Sequence, residues 1–135
     1  MSNEEQIPYQ FAIVRYVHNI PAGEFVNIGI VMFVPGKNSV VTYMLSRQTE
    51  RMQAFWPGID YGYDALFDAL DSRAYHVAGF GATPGVYKTA RGAFRAILPK
   101  DSSCFQLSPI MSGISPNPKK RLSELYEDFV IRHNT

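Results

Sequence analysis

Three runs near the start of the chain, YQFAIVRYVH (9–18), EFVNIGIVMFV (24–34) and SVVTYML (39–45), are rich in β-branched and aromatic residues and read as strands. NIPAG and PGKN separate them, and both are turn chemistry, so the runs predict an antiparallel meander. The first two runs are largely apolar on both faces. That pattern predicts strands buried on at least part of each face, with helices covering one side of the sheet.

Helical spacing then takes over. SRQTERMQAFWPG offers Ser46 as an N-cap, Met52, Phe55 and Trp56 as an apolar set, and Pro57-Gly58 as a stop. Asp60 is expected to cap a second helix with Tyr63, Leu66, Phe67, Leu70, Ala74 and Val77 at three-and-four spacing, ending near Gly79. A shorter helix from about Thr89 to Leu98 turns Phe94, Ile97 and Leu98 to one side, and Pro99 ends it. SSCFQLSPIM (102–111) is a fourth strand candidate whose Pro109 places that end at a sheet edge or bulge. The last helix has Asn117 as cap, Pro118 in its first turn, and Leu122, Leu125, Tyr126, Phe129 and Val130 as a buried stripe. The expected architecture is a single α+β domain over residues 1–135, an antiparallel β-meander sheet of about four strands with helices packed on one face.

Composition narrows the function classes. At 135 residues and 46% hydrophobic, the chain is large enough for one core without staples. Lys+Arg number 13 against 12 Asp+Glu, so the electrostatic footprint of phosphate-backbone binding is missing and nucleic acid is not the expected partner. The lone Cys104 excludes an intramolecular disulfide framework and a cysteine-rich zinc site, and fits a reducing compartment. MSNEEQIPYQ has no apolar core of a leader, and no apolar run approaches the ~20 residues that span a bilayer. A cytoplasmic protein without a membrane partner is expected.

Arg15, Glu24 and Asn27 stand out inside strand-like runs that do not need them to fold. If NIPAG is a five-residue hairpin loop, His18 pairs with Glu24, Arg15 with Asn27, Ile13 with Gly29 and Phe11 with Val31. If PGKN sets Val34 opposite Ser39, then Gly29 faces Met44 and Asn27 faces Ser46. Directly opposed residues share a face, so Arg15, Asn27 and Ser46 form a row across three strands, with Gly29 leaving space beside it and Arg47 next in the chain. Glu24 falls on the opposite face. One reading is an oxyanion or carboxylate pocket in which a guanidinium fork, an amide and a hydroxyl orient a ligand. The other is structural, with Arg15 capping carbonyls or a local carboxylate and Asn27 satisfying loop backbone.

Other signals carry less. GFGATPGVYKTA lacks the Gly-Lys-Ser/Thr ending of a phosphate loop, because Val86 and Tyr87 separate Gly85 from Lys88. His18, His76 and His133 have no metal-ligand spacing, and no metal site is expected. Cys104 reads as a small buried thiol. Asp64, Asp68 and Asp71 read as the solvated face of a helix. Lys119, Lys120 and Arg121 sit at a helix N-terminus that the macrodipole disfavours, as plain surface charge or as a patch for an acidic partner.

RYVHNIPAGEFVNIGIVMF, with its Arg-Tyr-Val opening and Gly-Glu-Phe-Val-Asn followed by Gly, resembles the signature of the bacterial and phage family known as domain of unknown function 3037. FRAILPKDSSCFQLSPIMSGISPNP followed by RLSELYEDFV is similar to the family's second half, and the resemblance covers nearly the whole chain. Many members carry a His shortly after Ser-Pro where this chain has Met111, which weakens any role for a general-base histidine there. The resemblance marks Arg15, Glu24, Phe25, Asn27, Gly29, Phe94, Arg95, Ser103, Gln106, Ser108 and Gly113. It also implies, through the HipA-like kinase genes near some members, a small partner or regulatory subunit. The candidate binding residues are therefore Arg15, Glu24, Asn27, Ser46, Arg47, Arg95, Ser103, Gln106 and Ser108.

Three functions follow as expectations. The first is a non-enzymatic interaction or regulatory module, without a cofactor, that docks a protein partner through a sheet edge or the final helix. The second is a small hydrolase or phosphoester enzyme with Arg15 as oxyanion stabiliser and Glu24 as base. The third is nucleotide or nucleic-acid binding through Arg15, Arg47, Arg91 and Arg95 with Tyr87 or Phe94 stacking.

Overall fold

The computed structural model describes residues 5–19, 24–56, 61–79, 85–99 and 104–132. It is a mixed α+β fold built on one antiparallel sheet. Strands β1 (Ile7–Asn19), β2 (Glu24–Val34) and β3 (Val40–Leu45) form the expected meander. The fourth strand run is split into β4 (Phe105–Leu107) and β5 (Met111–Ser115), which pair with successive halves of the far side of β1. Ser108 and Pro109 cause the split. Pro109 has no N–H to give the ladder, and the Ser108 hydroxyl accepts the Ile13 N–H at 2.8 Å in place of a main-chain carbonyl. The register against β1 moves by one residue across this irregularity.

The helices divide between the two faces, which corrects the expectation of one covered face. Helices α1 (Thr49–Phe55), α2 (Tyr61–Ala78) and α3 (Ala90–Ile97) pack on Ala12, Val14, Tyr16, Val26, Ile28, Val31 and Phe33. Helix α4 (Pro118–Tyr126), with its π-helical continuation Glu127–Arg132, covers Tyr9, Phe11, Ile13, Ile30 and Met32 from the other side. The reason is in β1 and β2 themselves. Their apolar residues occupy both phases of the strand period, so each face needs its own cover.

Local signals hold at most helix ends. Thr89 accepts the Gly92 N–H at 3.0 Å and opens α3, and Asn117 accepts the Lys120 N–H at 3.2 Å and opens α4. Gly79 ends α2 in a positive-φ conformation. Ser46 does not cap α1, which starts at Thr49 behind a left-handed Gln48, and the proposed cap Asp60 lies outside the described residues. Leu66, expected in the buried stripe of α2, is exposed, while Tyr63, Phe67, Leu70 and Ala74 are buried.

Candidate functional site

Arg15 does pair with Asn27 and the two share a sheet face, although the loop end differs from expectation: Asn19, not His18, pairs with Glu24, and a shift between Val17 and Asn19 restores the expected register at Arg15. Beyond that point the register changes. Ile28 is an extra residue on β2: Val14 pairs with Gly29, Ile13 with Ile30 and Phe11 with Met32. A bulge of this kind turns neighbouring side chains the same way and breaks any row that assumes strict alternation. The β2–β3 register is also displaced by one from expectation, with Gly29 opposite Leu45, and the Ser46 N–H bonds the Ile28 carbonyl at 2.8 Å. Ser46 is therefore not opposite Asn27, and the predicted Arg15–Asn27–Ser46 row does not form. Gly29 is no pocket floor either. A Cβ there would lie 2.3 Å from Leu45 Cδ2 and 2.5 Å from the Met44 carbonyl oxygen, so glycine is needed for β3 to approach.

The row that forms instead is Gln106, Arg15, Asn27, across β4, β1 and β2. Asn27 is buried, and its Nδ2 donates to the Phe129 carbonyl at 2.8 Å, tying the sheet to the π-helical turn above it. Arg15 lays its guanidinium 4.9 Å from the Phe25 ring centroid. Its Nε is buried and bonds to no described residue. Gln106 is exposed. Glu24 pairs through its backbone with Asn19, while its side chain and all of Ser103 lie outside the described residues.

Arg47 belongs to the other face. It ion-pairs with Asp64 and Asp68 on α2 and stacks 4.8 Å from the Phe67 ring centroid. The bond to Asp68 holds its guanidinium pKa above the ordinary arginine value. Its carbonyl accepts the Tyr63 hydroxyl at 2.5 Å. Arg47 thus fastens the β3–α1 connection to α2, and two of the aspartates read as a solvated face are its partners. Tyr63 and Tyr16 meet edge to face at 5.0 Å beneath it, and burial pushes both phenol pKa values up, with Tyr16 adding to the shift of Tyr63.

Arg95, Gln106 and Ser108 are brought together elsewhere, along a groove of about 680 Å³ between α3 and β4. Arg91, Phe94, Leu98 and Pro99 form the helix wall, and residues 105–110 form the strand wall. On α3, Ala90, Ala93, Phe94 and Ile97 are buried in the sheet core, which leaves Arg91 and Arg95 exposed one turn apart. No acidic side chain lines the groove among the described residues, and neither arginine makes an ion pair there. Ser108 is committed inward, accepting from Ile13 and donating to the Pro109 carbonyl at 3.0 Å. Phe94 is buried and has no face for a nucleobase. The sequence marks Arg91 only as a nucleotide contact, although its four-residue spacing from Arg95 opposite an apolar helix face also places it on this wall.

Arg121, expected as plain surface charge or as part of a patch for an acidic partner, donates from Nε to the Tyr9 hydroxyl at 3.1 Å and pins α4 to β1. Among the described residues there is no cluster of three His, Cys, Asp or Glu that could hold a metal ion, and no helix is long and apolar enough to cross a membrane. No curated protein and no solved structure matches the chain. One family profile does match, over residues 11–130, and it spans the central hairpin, the α3–β4 groove and the last helix. The chain therefore belongs to the protein family of unknown function DUF3037.

Proposed function

We propose that this chain is a protein-interaction module and that the groove between α3 and β4 is its docking surface. The observation that carries this reading is the pair Arg91 and Arg95, exposed on one wall of an open groove whose other wall is an edge strand. Three other polar residues singled out from sequence are engaged within the molecule: Asn27 with Phe129, Arg47 with Asp64 and Asp68, and Ser108 with Ile13. Arg91 and Arg95 make no ion pair among the described residues, and charged groups of that kind can steer and fix a partner. The mixed apolar and basic lining, with Phe105, Leu107 and Ile110 beside the arginines, suits a protein surface. A kinase-like protein encoded nearby is the partner that the family resemblance suggests.

The test is affinity capture from the native host at moderate salt, with the intact chain and with Arg91→Glu/Arg95→Glu as baits. Mass spectrometry identifies proteins, and absorbance of the eluate detects nucleotide. A protein captured by the wild type and lost from the double variant is the expected result. Equal capture by both baits, or nucleotide in place of protein, would remove this reading.

A further inference from the structure

Resting on that docking surface, we infer that its occupant is an extended acidic segment of the partner that joins the sheet as a new strand along the outer edge of β4. The hydrogen-bond phase of β4 sets this up. Ser108 donates its N–H to Ile13 at 2.8 Å and Cys104 accepts from Val17 at 2.7 Å, with Gln106 paired to Arg15 between them. In an antiparallel ladder these alternate residues turn their main-chain groups toward β1. The N–H and C=O of Phe105 and Leu107 therefore point away from the sheet, into the groove, and β4 ends the strand order on that side. A strand edge that no described strand covers, facing a helix wall, is a template for strand addition. Pro109 limits the pairing to this short stretch, since it has no N–H to offer.

The helix wall supplies the side-chain selection. Arg91 and Arg95 are one turn apart, a rise of about 6 Å. Alternate side chains of an extended strand are separated by about 6.6 to 6.8 Å. Carboxylates at positions i and i+2 of an added strand match that spacing, and residues outside the pair meet Leu107 and Ile110. A second copy of this chain is the poorer occupant. Its own edge, FQLSPI, carries no acidic residue to meet the arginines.

The probe is a capped synthetic peptide with Glu and Val alternating, added to the intact protein. Two comparison peptides are used: one of the same composition with the Glu residues grouped together, and one N-methylated on its central amides. Binding is followed by fluorescence anisotropy, and residue-level amide exchange is followed by NMR. The alternating peptide is expected to bind roughly tenfold more tightly than either comparison, a factor worth about 1.4 kcal/mol. It should slow exchange at Phe105 and Leu107, and it should lose binding to Arg91→Glu/Arg95→Glu. Equal binding of all three peptides, unchanged exchange at Phe105 and Leu107 under saturation, absence of binding up to the peptide's solubility limit, or full displacement by millimolar inorganic phosphate would each overturn strand addition. If the peptide fails while the captured partner still depends on both arginines, strand addition falls and the docking surface stands. If the captured partner ignores both arginines, the docking surface falls and takes this inference with it.

Discussion

The row centred on Arg15 and the wall formed by Arg91 and Arg95 both place arginines among apolar neighbours, but their surroundings differ in kind. Arg15 lies between two strands, stacked on Phe25 and flanked by Asn27, whose amide is bonded to Phe129 beneath the π-helical turn. Arg91 and Arg95 stand on the outer side of a helix whose inner side is fully engaged, and they face open space. The unusual strand residue is thus held within the fold, whereas the charges at helical spacing stand exposed above an edge strand.

That contrast breaks if the hairpin side proves dispensable to folding. The largest effect is expected from truncating what holds the second face: Leu125→Ala should destabilise by about 2–5 kcal/mol in chemical denaturation. An unchanged midpoint would show α4 to be peripheral. Gly29→Ala should cost about 1–3 kcal/mol, because the added methyl meets the β3 backbone rather than a pocket. A neutral result there would restore the open floor that the predicted row required. Asn27→Ala and Ser108→Ala should each cost about 1–3 kcal/mol by leaving the Phe129 carbonyl or the Ile13 N–H without its bond.

Smaller effects sharpen the comparison. Tyr63→Phe removes the hydroxyl bond to Arg47 and should cost about 0.5–1.5 kcal/mol at neutral pH. Burial raises the Tyr63 pKa, so the neutral phenol's contribution is complete below the unfolded value of about 10 and is lost as pH rises through the higher folded value. Melting scans between neutral and strongly alkaline pH should show a shallower alkaline decline for Tyr63→Phe. The least effect on stability is expected for Arg91→Glu/Arg95→Glu, within about 0.5 kcal/mol of wild type, since the arginines are exposed and make no ion pair among the described residues.

Much of the fold is written in local patterns. The β-branched runs, the Asn117 cap and the Pro109 interruption all appear where their chemistry predicts. The Arg15–Asn27 pair matches the expected register because the extra residue His18, between Val17 and Asn19, offsets a loop end at which Asn19 and not His18 pairs with Glu24. The extra residue at Ile28 is not legible. Nothing in Val-Asn-Ile-Gly says which residue bulges against β1, and nothing in PGKN says that Val34 pairs with Val40 rather than Ser39, the one-residue shift that takes Ser46 out of the row. The second covered face is present in the two-phase apolar pattern of β1 and β2, but that pattern does not say which helix covers which face. Ser108 was legible as a special residue but not as a structural one, because its hydroxyl acts on Ile13, 95 residues away.

The central claim is that binding lives on α3 and β4 while the Asn27 row serves the fold. The most direct test measures melting temperature and partner capture on the same preparations of Asn27→Ala and Arg91→Glu/Arg95→Glu. The account predicts that Asn27→Ala melts early but captures the partner fully per folded molecule, whereas the double variant melts with the wild type and captures little. A double variant that binds normally, beside an Asn27→Ala protein that folds normally and does not bind, would contradict it.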